Sequence, residues 1–257
     1  MESLKGKIVF ITGASSGIGK ACAESFASLG AKLIISSRGF DKLEHLAVEL
    51  KEKYNSEVHY ASLDVRDIKS VQKFYNALPD DWKRIDILVN NAGLARGFNK
   101  LYEDDIAGWE EMIDTNVKGV LYITRTVVPG MVERESGHVI NLGSIAGHQA
   151  YPKGAVYCAS KHALDAITNS LRQDVIDKNI RVSTVDPGMV ETNFSNIRFY
   201  GDEEKAKNVY KGLTPLFAGD IADAVIYCAT RPPHANINEM VIMPSAQANS
   251  YVNYRKN

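Results

Sequence analysis

Lys7-Ile8-Val9-Phe10-Ile11-Thr12-Gly13-Ala14-Ser15-Ser16-Gly17-Ile18-Gly19 is the stretch on which the fold turns. Lys7 to Thr12 is a short apolar run rich in β-branched residues, the composition of a buried strand. It breaks into a glycine-rich turn. From Lys20 to Leu29 the apolar residues Ala21, Phe26 and Leu29 then recur at helical spacing until Gly30 stops the helix. Such a turn aims backbone N–H groups at a helix N-terminus, where a phosphate group binds. The glycines are spaced GxxxGxG rather than GxGxxG. Gly19-Lys20 does not make a P-loop, because Ala14 stands where the earlier glycine is needed and Ala21 where the Ser or Thr belongs.

The same alternation continues along the chain. Strands are predicted at Leu33 to Ser36, Val58 to Ser62, Ile85 to Val89, Val139 to Leu142, Val182 to Val185 and Met240 to Ile242. Helices are predicted at Leu43 to Lys53, Ile68 to Ala77, Ile106 to Val132, Val156 to Ile176 and Ile221 to Thr230. Short apolar strands separated by helices imply right-handed βαβ units, hence an α/β fold with a doubly wound parallel sheet covered on both faces. No linker-like tract divides the chain, so residues 1–257 read as one domain. The polar segment 191–214 interrupts the rhythm and falls over the carboxyl ends of the strands, where ligands bind in such sheets. It reads as a substrate-covering segment.

Composition narrows the function classes. Net charge is −1 and the Lys and Arg residues are scattered, which removes the electrostatic case for a nucleic-acid or membrane-surface partner. Cys22, Cys158 and Cys228 lie far apart with no CxxC pair, so neither a metal site nor a disulfide framework is expected. Met1 runs straight into the first strand without a leader-like stretch, and no apolar run reaches membrane-spanning length. A cytoplasmic protein is the expectation.

The choice of nucleotide is read at the end of the second strand. A site for NAD places an acid about twenty residues past the glycines to hold the ribose 2′-hydroxyl. Here Ser37 stands near that place and Arg38 follows. Serine does not repel a 2′-phosphate, and a guanidinium pairs with one through its planar fork, so the expected cofactor is NADP(H). Asp64-Val65 is placed to meet the adenine, and Asn90-Asn91-Ala92-Gly93 to border the adenosine ribose.

The reactive end is Ser144 with Tyr157 and Lys161. The last two are four residues apart on a predicted helix and so share a face. A free phenol titrates near ~10 and is a poor base at neutral pH. An ammonium about 4 Å away, at an effective dielectric near 20, interacts by roughly 4 kcal/mol, enough to bring a phenol into working range. Tyr157 is then expected to exchange the proton of a hydroxyl or carbonyl oxygen, with Ser144 hydrogen-bonding that oxygen and Lys161 acidifying Tyr157. Asn116, mid-helix, is the expected fourth member, positioning Lys161 through a water.

On Thr12–Gly19, Asp64, Asn90–Gly93, Asn116, Ser144, Tyr157–Lys161 and Pro187-Gly188 with Thr192, the chain resembles a classical short-chain dehydrogenase/reductase from Met1 nearly to its C-terminus. The resemblance implies a Rossmann fold, an NAD(P)-linked alcohol or carbonyl reaction, and the catalytic tetrad Asn116, Ser144, Tyr157 and Lys161. It assigns the cofactor to Gly13, Ser15, Ser16, Gly17, Ile18, Gly19, Ser37, Arg38, Asp64, Val65, Asn91, Ala92, Gly93, Tyr157, Lys161, Pro187, Gly188, Val190 and Thr192. Asn141–Gly147, Val190–Ser195 with Arg198 and Gly201, Lys205–Tyr210, Asp220–Asp223 and Met243–Gln247 are most similar to the NADP-dependent 3-hydroxy acid dehydrogenases, also described as serine or allo-threonine dehydrogenases and malonic semialdehyde reductases. His148 departs from the arginine found in some of these.

A 3-hydroxy acid needs a cation for its carboxylate, and Arg198 is the candidate, with Lys153 and His148 weaker. Ser144 and Tyr157 complete the substrate site. A reductase for acyl thioesters, sugars or steroids is the alternative, since the tetrad does not choose the substrate. A sensor that holds NADP(H) without turnover is a third reading. The resemblance also implies a homotetramer, paired through the two long helices.

Overall fold

Alternate residues of each central strand feed opposite faces of one sheet. In β1 (Ile8–Thr12), Val9 and Ile11 enter one core while Phe10 enters the other, and in β2 (Lys32–Ser37) Leu33 and Ile35 oppose Ile34 in the same way. Strands buried on both faces need apolar residues at both parities, which is why these runs show no polar alternation. The computed structural model describes residues 3–256. Met1 and Asn257, the bounds of the expected domain, and Glu2 lie outside the described residues.

The remaining elements follow in βαβ order. They are α1 (Gly17–Ser28), α2 (Phe40–Tyr54), β3 (Val58–Ser62), α3 (Ile68–Ala77), β4 (Ile87–Asn90), α4 (Ile106–Ile113), α5 (Val120–Glu133), β5 (Gly137–Leu142), α6 (Ala155–Asp174), β6 (Ile180–Pro187), β7 (Val190–Glu191), α7 (Phe194–Arg198), α8 (Glu203–Asn208), β8 (Leu216–Phe217), α9 (Ala218–Ala229) and β9 (Glu239–Ile242). Seven strands pair in the order β3-β2-β1-β4-β5-β6-β9, every pair parallel. This is the doubly wound Rossmann arrangement expected from the alternation. The order reverses between β1 and β4, which opens a crevice at their carboxyl ends.

The two cores are distinct. Phe26 of α1, Leu46 and Leu50 of α2 and Val225 of α9 pack on one face, and Ile123, Val127 and Met131 of α5 pack on the other. Burying a side chain such as Phe26 contributes roughly 1.5–3 kcal/mol. Among the described residues no helix is long and apolar enough to cross a membrane.

Two expectations need correction. The helix predicted over Ile106 to Val132 is interrupted: Asp114–Gly119 forms one π-helical turn between α4 and α5. A wide turn shifts the helical face, and Thr115, Asn116 and Gly119 point inward there. The 191–214 segment also carries structure that its polar sequence concealed, namely α7 and α8, and it is bracketed by a small two-stranded ribbon of β7 with β8.

A buried polar chain ties the sheet to the helices beneath. Asn90 Nδ2 donates to Thr124 Oγ1 at 3.2 Å and to Asn141 Oδ1 at 2.9 Å, and Asn141 Nδ2 donates to Thr168 Oγ1 at 2.8 Å. Asn141→Ala would strip both bonds from a fully enclosed site. A loss of about 2–3 kcal/mol in unfolding free energy is expected from urea denaturation.

Candidate active site

The crevice is built on a tie between β1 and β4. Thr12 Oγ1 accepts the N–H groups of Asn91 at 3.1 Å and Ala92 at 3.0 Å, while Asn91 Nδ2 donates to the Thr12 carbonyl at 2.8 Å and the Gly13 carbonyl at 3.1 Å. The packing leaves no room for a side chain at Gly13 or Gly19. A Cβ on Gly19 would lie 2.4 Å from both Asn91 Nδ2 and the Gly13 oxygen, and one on Gly13 would lie 2.9 Å from Ala92 Cα. Gly13 and Gly17 also have φ of +67° and +55°.

Ser16 is the N-cap of α1 but makes no side-chain capping bond, and no acid stands in the first turn. The N-terminus of α1 therefore presents free N–H groups and a positive dipole end to the cleft, which suits a pyrophosphate. Of the residues assigned to the cofactor, Gly13, Ser16, Gly17, Ile18, Asn91, Ala92, Gly93, Tyr157, Lys161, Pro187, Gly188, Val190 and Thr192 line this one cleft. A Cβ on Gly17 would come within 3.3 Å of Thr192, so the far wall closes directly over the turn. The cradle fits a dinucleotide.

The other assigned residues lie outside that lining. Ser15 and Gly19 belong to the turn itself. Ser37 is buried and donates to the Gly39 carbonyl at 3.2 Å. Arg38 is half exposed, with Nη1 3.2 Å from Glu111 Oε1. Asp64 is gripped by Arg66 in a forked pair, Nε at 2.9 and 3.0 Å and Nη2 at 2.6 Å, and this pairing holds its carboxyl below the usual range. The Val65 side chain packs in the second core.

Sequence reading missed Glu111, which gathers Arg96 (2.5 Å), Arg38 (3.2 Å) and Arg66 (3.7 Å); its only trace was one acid among others on a helix. The Arg96 hydrogen bond holds the Glu111 carboxyl low.

At the other end of the cleft the helical spacing behaves as expected. Tyr157 and Lys161 share a face of α6, with Lys161 Nζ 6.0 Å from the Tyr157 ring centroid. Ser144 follows β5 and hydrogen-bonds Tyr157. Its hydroxyl also accepts the Ala146 N–H at 3.1 Å, so it caps the short turn Ile145–Gly147 as well.

The electrostatics do not follow the expectation. Lys161 Nζ donates to the Leu142 carbonyl at 2.8 Å instead of meeting the phenol. Burial pushes Tyr157 up to about 12; Tyr151 adds to this, while Arg198 and the Ser144 hydrogen bond oppose it. Burial likewise brings Lys161 down to about 8, against the pull of Asp186. Desolvation outweighs charge attraction here, so the phenol keeps its proton at neutral pH.

Asn116 is buried in the π-turn. Its Nδ2 donates to the Leu94 carbonyl at 2.8 Å and to Ser160 Oγ at 3.0 Å, and its Oδ1 accepts the Leu94 N–H at 2.9 Å. Its amide is committed to the chain after β4 and to α6. The π-turn makes this reach possible.

Arg198, on α7, faces a second chamber. Its guanidinium lies 5.0 Å from the Tyr157 ring centroid and 5.2 Å from that of Phe194, and Nη2 donates to Tyr151 Oη at 3.1 Å. Its Nε is buried without a hydrogen-bond partner. Phe98, Tyr151, Phe194 and Tyr210 line this chamber with Arg198, and Ser144 and Tyr157 belong to both chambers. Of the weaker candidates, Lys153 places Nζ 5.8 Å over the Phe98 ring of this chamber, and His148 turns to Asp186 and Glu239.

With this geometry in view, the relatives can be compared. A family model described as short chain dehydrogenase matches residues 7–200. An NADP-dependent 3-hydroxy acid dehydrogenase of Schizosaccharomyces pombe is 44% identical over 257 residues, covering 100% of this chain and 99% of that protein. Sulfoacetaldehyde reductase 2 of Chromohalobacter salexigens is 44% identical over 242 residues, covering 94% and 95%. The closed form of a serine dehydrogenase complexed with NADP+ superposes with a TM-score of 0.91 at 41% identity, over 97% of this chain and 100% of that one.

Lys161 supplies a test of how burial and charge compete. Its folded value lies below that of an exposed lysine, so its charge costs stability below about pH 8, and the cost disappears between there and about 10.5 as the folded form loses its proton first. At about 1.36 kcal/mol per pH unit the cost is on the order of 3 kcal/mol. Lys161→Met should raise the melting temperature at pH 7 by about 6–12 °C, with the gain shrinking toward pH 10. Calorimetry across that range checks it. From cleft, turn and matched family together, this chain belongs to the short-chain dehydrogenase family.

Proposed function

We propose that the protein is an NADP(H)-dependent oxidoreductase that interconverts a short 3-hydroxy acid, of the serine, allo-threonine or 3-hydroxypropionate type, with its 3-oxo acid or semialdehyde. One observation carries the reading. The cofactor cleft and the chamber holding Arg198 meet at Ser144 and Tyr157. An oxygen bound at that junction is within reach of a proton donor, while an anionic group of the same molecule meets a guanidinium a few ångströms away. The relatives named for 3-hydroxy acids and for serine support this choice of substrate.

When bound, the nicotinamide supplies or accepts the hydride. The chain's own residues do the rest. Tyr157, pushed up to about 12, holds its proton at neutral pH and donates it to a carbonyl oxygen. Ser144 hydrogen-bonds the same oxygen as negative charge develops. Lys161, anchored on the Leu142 carbonyl, carries positive charge at the floor of the cleft, and Asn116 holds Leu94 and Ser160 in register around it. Arg198 binds the acid group through Nε and the edge it shares with Tyr151. The same guanidinium suits a sulfonate, the reading favoured by the sulfoacetaldehyde reductase relative.

The proposal extends to the whole chain. It acts as one domain, with 191–214 covering the substrate, and four copies assemble through the exposed sides of α4 to α6, where Ile106 and Leu121 are solvent-facing apolar residues. Residence in the cytoplasm is part of the same reading, supported by three free, buried cysteines.

Rates with NADP+ and serine, allo-threonine and 3-hydroxypropionate, set beside a 3-hydroxyacyl thioester, a sugar and 2-hydroxyethanesulfonate, test the assignment. Preference for the thioester or sugar would overturn it, and absence of turnover on the whole panel would favour the sensor. Loss of a charge-assisted contact is worth about 1.5–3 kcal/mol. Arg198→Ala should therefore lower kcat/KM for hydroxy acids roughly 10- to 100-fold, leaving a neutral alcohol of the same length nearly unaffected. Arg38→Ala should raise the KM for NADPH by about tenfold or more while the KM for NADH stays constant.

A further inference from the structure

Asp186 makes a contact that no role assigned so far uses. It lies near the end of β6, one residue before Pro187. Its Oδ1 reaches across to β5 and accepts the Ser144 backbone N–H at 3.1 Å. A Cβ on Gly143 would stand 1.7 Å from this Oδ1, so only glycine at 143 admits the carboxylate. Asp186 is 4% exposed. On its other side His148 Nε2 lies 3.4 Å from Oδ2, and Glu239 Oε1 of β9 lies 3.8 Å from His148 Nδ1.

This contact bears on the reaction through Ser144. The Ser144 hydroxyl divides itself among the Ala146 N–H (3.1 Å), the Pro187 carbonyl (3.5 Å) and Tyr157. Where it projects is set by the backbone of the turn, which is held from below at two neighbouring points, the Gly143 N–H on the Val185 carbonyl at 2.9 Å and the Ser144 N–H on Asp186. Without Oδ1 a buried donor loses its acceptor, and the turn must move to find another. Displacements near 1 Å at a reacting centre cost about 100-fold in rate.

We propose that Asp186 is the positioning residue for Ser144, and that His148, with Nε2 3.4 Å from the other carboxylate oxygen, keeps Asp186 turned toward the Ser144 amide. The inference rests on the reading of Ser144 as a hydrogen-bond donor to the reacting oxygen. It also gives His148, the departure noted in the sequence, a place behind the catalytic turn rather than in the substrate wall.

The test is a double-mutant cycle on the full-length enzyme, with NADPH binding measured by fluorescence titration. Asp186→Ala should lower kcat 10- to 50-fold with the Kd for NADPH changed less than twofold. Asp186→Asn, which keeps an acceptor for the amide, should recover to within threefold of the wild type. In a Ser144→Ala background the Asp186→Ala penalty should fall below twofold, because the hydroxyl it positions is gone. A structural defect would leave that penalty intact.

Should Asp186→Ala fail to fold, His148→Ala carries the same test with an expected three- to fivefold loss of kcat, again absent in the Ser144→Ala background. Unchanged kcat in both variants, or a penalty that persists without the Ser144 hydroxyl, overturns the proposal. Donor atoms of His148, Asp186 and Glu239 lie within 4.8 Å of one another, so the assays are repeated after chelation. Activity lost to chelator and restored by zinc would reassign the cluster as a metal site and also overturn it. If Ser144→Ala itself has no effect, the reading of Ser144 fails first, and the two failures are told apart.

Discussion

Everything at the reactive edge depends on the tie between Asn91 and Thr12. The sheet order reverses between β1 and β4, and the connections leaving the two strands diverge there. A crevice between diverging chains would expose unpaired backbone groups. One asparagine side chain and one threonine hydroxyl satisfy four of them. The cost is steric: the turn must approach Asn91 so closely that Gly13 and Gly19 cannot carry a Cβ. Glycine there is needed for the sheet's own closure as well as for a ligand's approach.

The chemical end is governed by a second constraint, the low polarity of its floor. Tyr157 and Lys161 are both pushed toward their neutral forms, the phenol to about 12 and the amine to about 8. Coulomb attraction between them would have had the opposite effect, but a lysine 6.0 Å from the ring centroid and already bonded to Leu142 leaves burial dominant. The resting pair is thus suited to giving a proton. Arg198, stacked on Tyr157 and Phe194, is the nearest cation to the phenol ring. The cofactor cleft and the second chamber thus meet at one aromatic face.

Much of this was legible in one dimension. Strand β3 and helix α3 begin and end where their apolar pattern says, and the order of the glycine turn, Ser144 and the Tyr157–Lys161 pair predicted their meeting in space. What escaped had no periodic signal. The π-turn at Asp114–Gly119 inserts a wide turn into a sequence whose apolar spacing reads as continuous helix. The Glu111 cluster joins residues from four separate parts of the chain. Tyr151 and Asp186 looked like ordinary loop and strand-end residues.

The sequence by itself determined the parallel sheet, the cofactor turn and the pairing of Tyr157 with Lys161, because each depends on local spacing: two-residue alternation buried on both sides, glycine permissiveness, and four-residue helical recurrence. Only the tertiary structure decided which way Asn116, Lys161, Arg198 and Asp186 spend their hydrogen bonds. Those choices turn on the competition between desolvation and partner distance, and both quantities exist only once distant segments have packed together.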